Sequence, residues 1–327
     1  MSQMTTLISC TVAVVLAAGL GIWFASSRVD VVRGIKLAIM WPRHREALAA
    51  ACPALPTIAD ADAADRPINV VRWGEAERRM LIIHGGVQGN LGGGPATFAK
   101  QQALAGEGWQ LLMPERPGFG QSPSRGPDDM EADAIWISNM LDGVVLMGHS
   151  FGGAEALLAA ARRTDGVRAL ILVEPALHML LPRSDVLARN DVARNDFLSF
   201  GEAALAAGDP ATYGLTFLRS LGPDARIALL EQNPDQAASL GCALLRARMA
   251  SPQTIKSAAD TVAAAKIPVL VISGGYSPTF NAIGELAAAI THGEHIIVRS
   301  INHYPQLTNA EEFNTAVLNF IASRGKL

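Results

Sequence analysis

The chain has 327 residues, of which half are hydrophobic and 17% charged, and its formal net charge is -3. Such a balance creates no field that would gather nucleic acid, so no partner of that kind is expected. The length admits one large domain or two small ones.

The apolar excess has a local source. Residues 1–27 carry no charged side chain, and residues 7–25 are almost wholly apolar or small, long enough as a helix to span a hydrocarbon core. No basic residue precedes this span, as a secretory signal would require, whereas Arg28, Arg33, Lys36, Arg43 and Arg45 follow it. The pattern predicts an uncleaved single-pass membrane anchor over residues 1–30, with the C-terminal domain on the cytoplasmic side. The competing expectation is a signal peptide cut near Ala25-Ser26-Ser27, followed by secretion. Cys10 lies in the span. Cys52 and Cys242 could pair only in an oxidising compartment, and their spacing matches no disulfide framework or zinc pattern.

Residues 31–41 mix Val, Ile, Leu and Met with Arg and Lys, which suits a membrane-surface helix and an ordinary packing helix equally. Residues 46–67 are rich in Ala, Asp and Pro, so 31–66 is read as a linker. Strands then alternate with helices: strands at 68–73, 80–83, 109–114, 144–147 and 167–173, helices at 98–107, 130–141 and 154–161. The alternation stops over residues 176–266. Helical stretches there (200–207, 225–231, 237–249, 254–265) are broken by Gly-Asp-Pro, Gly-Pro-Asp and Asn-Pro. It resumes with a strand at 268–273, a helix at 282–290, a strand at 295–298 and a closing helix at 310–323. This order predicts an α/β fold, a mostly parallel central sheet with helices on both faces. Residues 67–175 and 267–327 form its two parts, and 176–266 an inserted helical cap.

One stretch carries the chemistry. Gly148-His149-Ser150-Phe151-Gly152-Gly153 lies between a buried strand and a small-residue helix. A serine at so sharp a turn is held in a strained conformation that exposes its hydroxyl, and the helix behind it aims N-terminal amides at any anion formed there. Such a hydroxyl attacks poorly without a neighbouring base, and a histidine stands in the loop Asn302-His303-Tyr304-Pro305 after the last strand. His292 and His295 have H-x-x-H spacing but fall where a strand begins, which argues against a metal site. No cofactor motif is present, so neither cofactor nor metal is expected.

Together with His84-Gly85-Gly86 and Arg116-Pro117-Gly118-Phe119-Gly120-Gln121-Ser122, these blocks in this order resemble the α/β-hydrolase fold superfamily, in its capped serine hydrolase branch. The resemblance covers residues 68–327. It implies an eight-stranded sheet with a helical cap after the sixth strand, although the first strand or two are not evident here. It implies Ser150 as nucleophile, His303 as base, and the amides of Gly86 and Phe151 as oxyanion hole. His84 would orient its loop through hydrogen bonds, and His149 would be a packed neighbour. The family's usual acid follows the seventh strand, where this chain reads Gly274-Gly275-Tyr276-Ser277-Pro278, with Ser277 in the acid's place and no Asp beyond it. Some relatives carry the acid after the sixth strand, which here is Glu174. Glu285 is the fallback. The implied activity is hydrolysis of an ester or similar acyl bond in an apolar small-molecule substrate through an acyl-enzyme. The same triad serves cofactor-free haloperoxidases, carbon–carbon hydrolases and acyltransferases, and Ser277 leaves a non-catalytic ligand-binding descendant as a further alternative.

Overall fold

The structure, a computed structural model, describes residues 28–54, 67–88 and 93–325. Residues 1–27 of the anchor predicted over 1–30 lie outside the described residues, among which no helix is long and apolar enough to cross a membrane. Over residues 31–50, the first part of the segment read as a linker, the chain is helical, in α1 (Arg28–Ala50), which continues through Pro42. Proline removes one backbone donor from a helix interior. Here tertiary contacts override that cost. Arg33 Nε donates to Glu202 Oε1 at 2.7 Å and Arg33 Nη1 to Asn195 Oδ1 at 2.9 Å. Further along, Arg45 Nη2 donates to the Leu245 carbonyl at 2.7 Å. Two of the five basic residues that follow the apolar span are thus engaged with the rest of the chain. Val29, Val32, Ile39 and Met40 remain exposed on the helix. Just past its end, Cys52 forms a disulfide with Cys242.

Seven strands build the sheet among the described residues, in the order β1-β3-β2-β4-β5-β6-β7. They are β1 (Val70–Trp73), β2 (Arg79–Ile83), β3 (Gln110–Pro114), β4 (Val144–His149), β5 (Val167–Val173), β6 (Val269–Ser273) and β7 (Glu294–Ile297). Only β1 pairs antiparallel, on β3 at the edge. The others are parallel and need crossover helices, which cover both faces. Period-2 geometry sorts the strand residues accordingly. Leu81, Ile83, Leu146, Leu170 and Leu172 face α2 (Met130–Asn139) and α3 (Phe151–Arg162). Met80, Ile82, Val145, Met147 and Ile171 turn the other way, onto Phe98, Trp109 and the last helix.

Between β5 and β6 the helices α4 (Asp191–Ala206), α5 (Pro210–Ser220), α6 (Ala225–Glu231), α7 (Pro234–Arg246) and α8 (Pro252–Ala264) are inserted. The breaks in the sequence pattern prove to be helix starts. Asp209, Asp224 and Asn233 each accept a first-turn amide, and proline opens both α5 and α7. The sequence pattern misses α5 altogether and starts α4 nine residues late, since Asp191, Arg194 and Asn195 dilute its apolar face. After β6 come α9 (Pro278–Thr291) and, beyond β7, α10 (Ala310–Ala322).

Candidate active site

At the end of β4 the backbone turns sharply through Ser150, which has φ 55° and ψ -120°. For a non-glycine residue this is a strained conformation, kept only where the surroundings enforce it. The enforcement is visible. The Ser150 amide donates to the Val173 carbonyl at 2.9 Å, while its own carbonyl accepts from the Gly153 amide at 2.9 Å and the Ala176 amide at 2.8 Å. A β-carbon at Gly148 would stand 2.3 Å from the Gly152 carbonyl oxygen, and one at Gly152 would stand 2.4 Å from that of His84. Strand, turn and helix can therefore close only with glycine at both positions.

His303 lies buried in the loop after β7, and its Nδ1 is 3.1 Å from Glu174 Oε2. Glu174 ends β5 with φ 45°. Its other oxygen, Oε1, accepts from the Gly274 amide. Burial pushes the Glu174 carboxyl up to about 8, opposed by the Gly274 amide and by His295. The His303 ring is pulled down to about 3, by burial first and then by the nearby Arg226 charge. Both shifts disfavour the charged forms, so the pair is held together by one hydrogen bond between Nδ1 and Oε2. Nε2 of His303 is buried and has no hydrogen-bond partner among the described residues. His149 ties the ring's loop to the Ser150 turn: its Nε2–H donates to the His303 carbonyl at 2.8 Å. Burial holds the His149 ring well below the usual imidazole range, so it stays neutral.

The glycine loop after β2 is ordered from beneath. His84 Nδ1–H donates to the Gly85 carbonyl at 2.9 Å, and its Nε2 accepts from the Arg116 amide at 3.0 Å. Arg116 is fully buried. Its Nη1 donates to the Gly86 carbonyl at 2.9 Å, and its guanidinium carbon lies 4.6 Å from the centre of the Phe151 ring. Glu155, Asp128 and Asp133 surround the same guanidinium at 2.9–3.3 Å. Burial drives the Glu155 carboxyl well up, so the cluster need not carry three negative charges against one positive. Gly86 and Phe151 thus share one support, and the arginine of the Arg116–Ser122 block has a structural reason to be there.

Three residues matter that the sequence does not single out. Tyr276 Oη lies 3.3 Å from His303 Nδ1, a second polar contact at the atom Glu174 engages. Asp196, from α4, accepts from Ser277 Oγ and from the Thr279 amide, both at 3.1 Å. Ser277 itself caps α9 by accepting from the Phe280 amide at 3.3 Å, so the usual acid position is a helix cap. His178 lines the cavity described next. The fallback acid, Glu285, is half-exposed and ion-paired with Arg189 at 2.7 Å. Of the H-x-x-H pair, His292 closes α9 in the left-handed region and His295 Nε2 hydrogen-bonds Ser273 Oγ at 2.9 Å.

Beside Ser150 a cavity of about 560 Å³ runs between the sheet, the inserted helices and α1. Gly86, Phe151, Phe197, Phe217, Leu240 and Trp41 are among its walls, which are mostly apolar. Its size falls within the range of about 300–1,000 Å³ usual for small-molecule sites.

Known proteins resemble this chain. A family model described as the alpha/beta hydrolase family matches residues 80–316. The chain is 32% identical over 143 residues to Lipase LipV of Mycobacterium tuberculosis, a match covering 42% of this chain and 52%, about half, of that relative. It is 26% identical over 261 residues to a pimeloyl-[acyl-carrier protein] methyl ester esterase of Neisseria meningitidis, covering 76% of this chain and 94% of the relative. Among solved structures, a membrane phospholipase A described as a bacterial virulence factor superposes with a TM-score of 0.56 at 18% identity, covering 99% of this chain and 100% of that one. The enol-lactonase of Burkholderia xenovorans superposes with a TM-score of 0.52 at 18% identity, covering 78% and 96%.

Proposed function

As a chain that belongs to the alpha/beta hydrolase family, this protein is, we propose, a serine hydrolase that cleaves esters with an apolar acyl part. Ser150 attacks the acyl carbon while His303 Nε2 takes the hydroxyl proton. Glu174, ionised, accepts the Nδ1 proton in a hydrogen bond and so fixes the tautomer in which Nε2 is the free base. The oxyanion forms between the amides of Gly86 and Phe151, at the start of α3 where first-turn donors lack intrahelical partners. His303 returns the proton to the leaving alcohol, and water clears the acyl-enzyme by the same route. One observation carries this reading: a serine in a strained strand-to-helix turn, tied through His149 to a buried His303–Glu174 pair, beside an apolar cavity. Relatives named as a lipase and a methyl ester esterase support ester substrates. The helices inserted between β5 and β6 act as a cap that shapes the acyl site.

The test is labelling with a fluorophosphonate. The adduct should map to the peptide holding Ser150, and Ser150→Ala should abolish labelling with the fold retained. Modification of another serine would sink the assignment. A panel of esters then ranks acyl length.

The Cys52–Cys242 disulfide supports an oxidising compartment for the domain, against the cytoplasmic side suggested by the basic residues after residue 27. Arg33 and Arg45 have structural partners, which weakens them as topology signals. Thiol labelling of intact cells under denaturing, non-reducing conditions decides: both cysteines reactive would place the domain in the cytoplasm.

A further inference from the structure

Resting on the hydrolase reading, we propose that Trp41, fixed in position by the Cys52–Cys242 disulfide, sets the longest acyl chain the cavity admits. The cavity is walled on one side by the core, near Ser150, and on the other by α1, through Gly34, Leu37, Ala38 and Trp41. Trp41 packs against Tyr213 of α5, with ring centres 5.5 Å apart. Tyr213, Leu244 and Ala204 also line the cavity, and they belong to a small apolar cluster with Leu48, Trp41 and Cys52. That cluster meets the main core, which contains Phe151 and Leu177, at Leu244. On this proposal the indole, in the wall that α1 and α5 build, is where the tail of an acyl chain ends.

The helix that carries Trp41 is fastened on both sides of it. Towards the N-terminus, Arg33 pairs with Glu202 at 2.7 Å, and Asp30 with Arg194 at 3.0 Å. Leu37 abuts Gly201 so closely that a β-carbon there would lie 2.8 Å from Leu37 Cδ1. Towards the C-terminus the fastening is covalent, joining Cys52, just past α1, to Cys242 in α7, which also supplies the cavity residues Leu240 and Leu244. Two walls of the acyl site are thereby held at a fixed separation across 190 residues of sequence. A wall free to shift would accommodate a longer chain by moving; a fastened one stops it. Each further methylene buried in such a site favours binding about fourfold, so affinity should climb with chain length and then break where the chain meets the indole.

The experiment uses the full chain under non-reducing conditions, with two readouts. The first is displacement of a fluorescent long-chain fatty acid by saturated fatty acids from octanoate to stearate, which needs no turnover. The second is hydrolysis of 4-nitrophenyl esters from butyrate to palmitate. In the wild type both profiles should break at one chain length. Trp41→Ala should move the break about three methylenes longer, with about fourfold tighter binding for each methylene gained. Trp41→Phe should move it less, and the Cys52→Ser, Cys242→Ser double variant should blunt it. If Trp41→Ala does not fold, Trp41→Phe decides. An unmoved break in folded Trp41 variants, or an unaltered profile in the double cysteine variant, overturns the proposal. A wild type that shows the break in binding but hydrolyses no ester and resists fluorophosphonate would overturn the hydrolase reading and leave the length limit standing.

Discussion

Two neighbouring strand ends show how the site divides its work. β5 and β6 run parallel with Val173 opposite Ile272, and the family's usual acid would follow β6. Here β5 ends in a fully buried glutamate in a left-handed conformation, and β6 leads into a loop without a carboxylate. The second loop is recruited by the first. Its Gly274 amide donates to Glu174 Oε1, its Tyr276 hydroxyl reaches His303 Nδ1, and its Ser277 caps α9 and holds Asp196 of the insert. What an imidazole needs is an acceptor at Nδ1; which strand delivers it is secondary. An aspartate at position 277 would face the Asp196 carboxylate that the serine now hydrogen-bonds.

The comparison is broken most directly at Glu174. Glu174→Gln should lower kcat by about 10³–10⁴-fold with KM nearly unchanged, the loss expected when a triad keeps its geometry but not its tautomer control. Retention of most activity would show that the β5 end does not orient the base.

The same variant tests the cost of placing the acid there. Glu174 is pushed up to about 8 in the folded chain, against an ordinary value of 4.5. A carboxyl raised on folding lends stability that is fully present below its unfolded value and lost as pH rises towards its folded one. Between pH 5 and 8 wild-type stability should therefore fall relative to Glu174→Gln, by about 2–4 kcal/mol at most. Melting curves of the two proteins over that interval check it; parallel curves would mean that the carboxylate is fully compensated. For the same reason wild-type turnover should rise as pH climbs towards 8 and the carboxyl ionises.

Tyr276 sharpens the contrast from the other strand end. Tyr276→Phe removes one of two polar contacts at Nδ1 and should lower kcat by about 5–20-fold, as loss of a buried hydrogen bond implies. It should also displace the pH–rate profile, which a purely packing role would not do. The smallest effect is expected at Glu285. Its ion pair with Arg189 is solvent-exposed, so Glu285→Gln should alter turnover and stability by no more than about twofold and 0.5 kcal/mol. A large loss of turnover there would reopen the identity of the acid.

The alternation of buried strands and helices was legible because parallel strands buried on both faces are short apolar runs, and their helices carry a 3.6-residue stripe. The Ser150 turn was legible for a local reason: backbone atoms within a few residues forbid a β-carbon at Gly148 and Gly152, so the constraint is written in adjacent letters. Which of Glu174 and Glu285 lies beside His303 was not local. It depended on which strand end lies beside the His303 loop and which helix face meets solvent, and so on sheet order. The role of residues 31–54 was hidden for a related reason. A proline interrupts the helical pattern of α1, and contacts far along the chain, with Glu202, Leu245 and Cys242 among them, make it a wall of the cavity. Short-range sterics and hydrophobic period belong to the sequence alone; pairings between distant residues are decided when the sheet and the inserted helices bring them within reach.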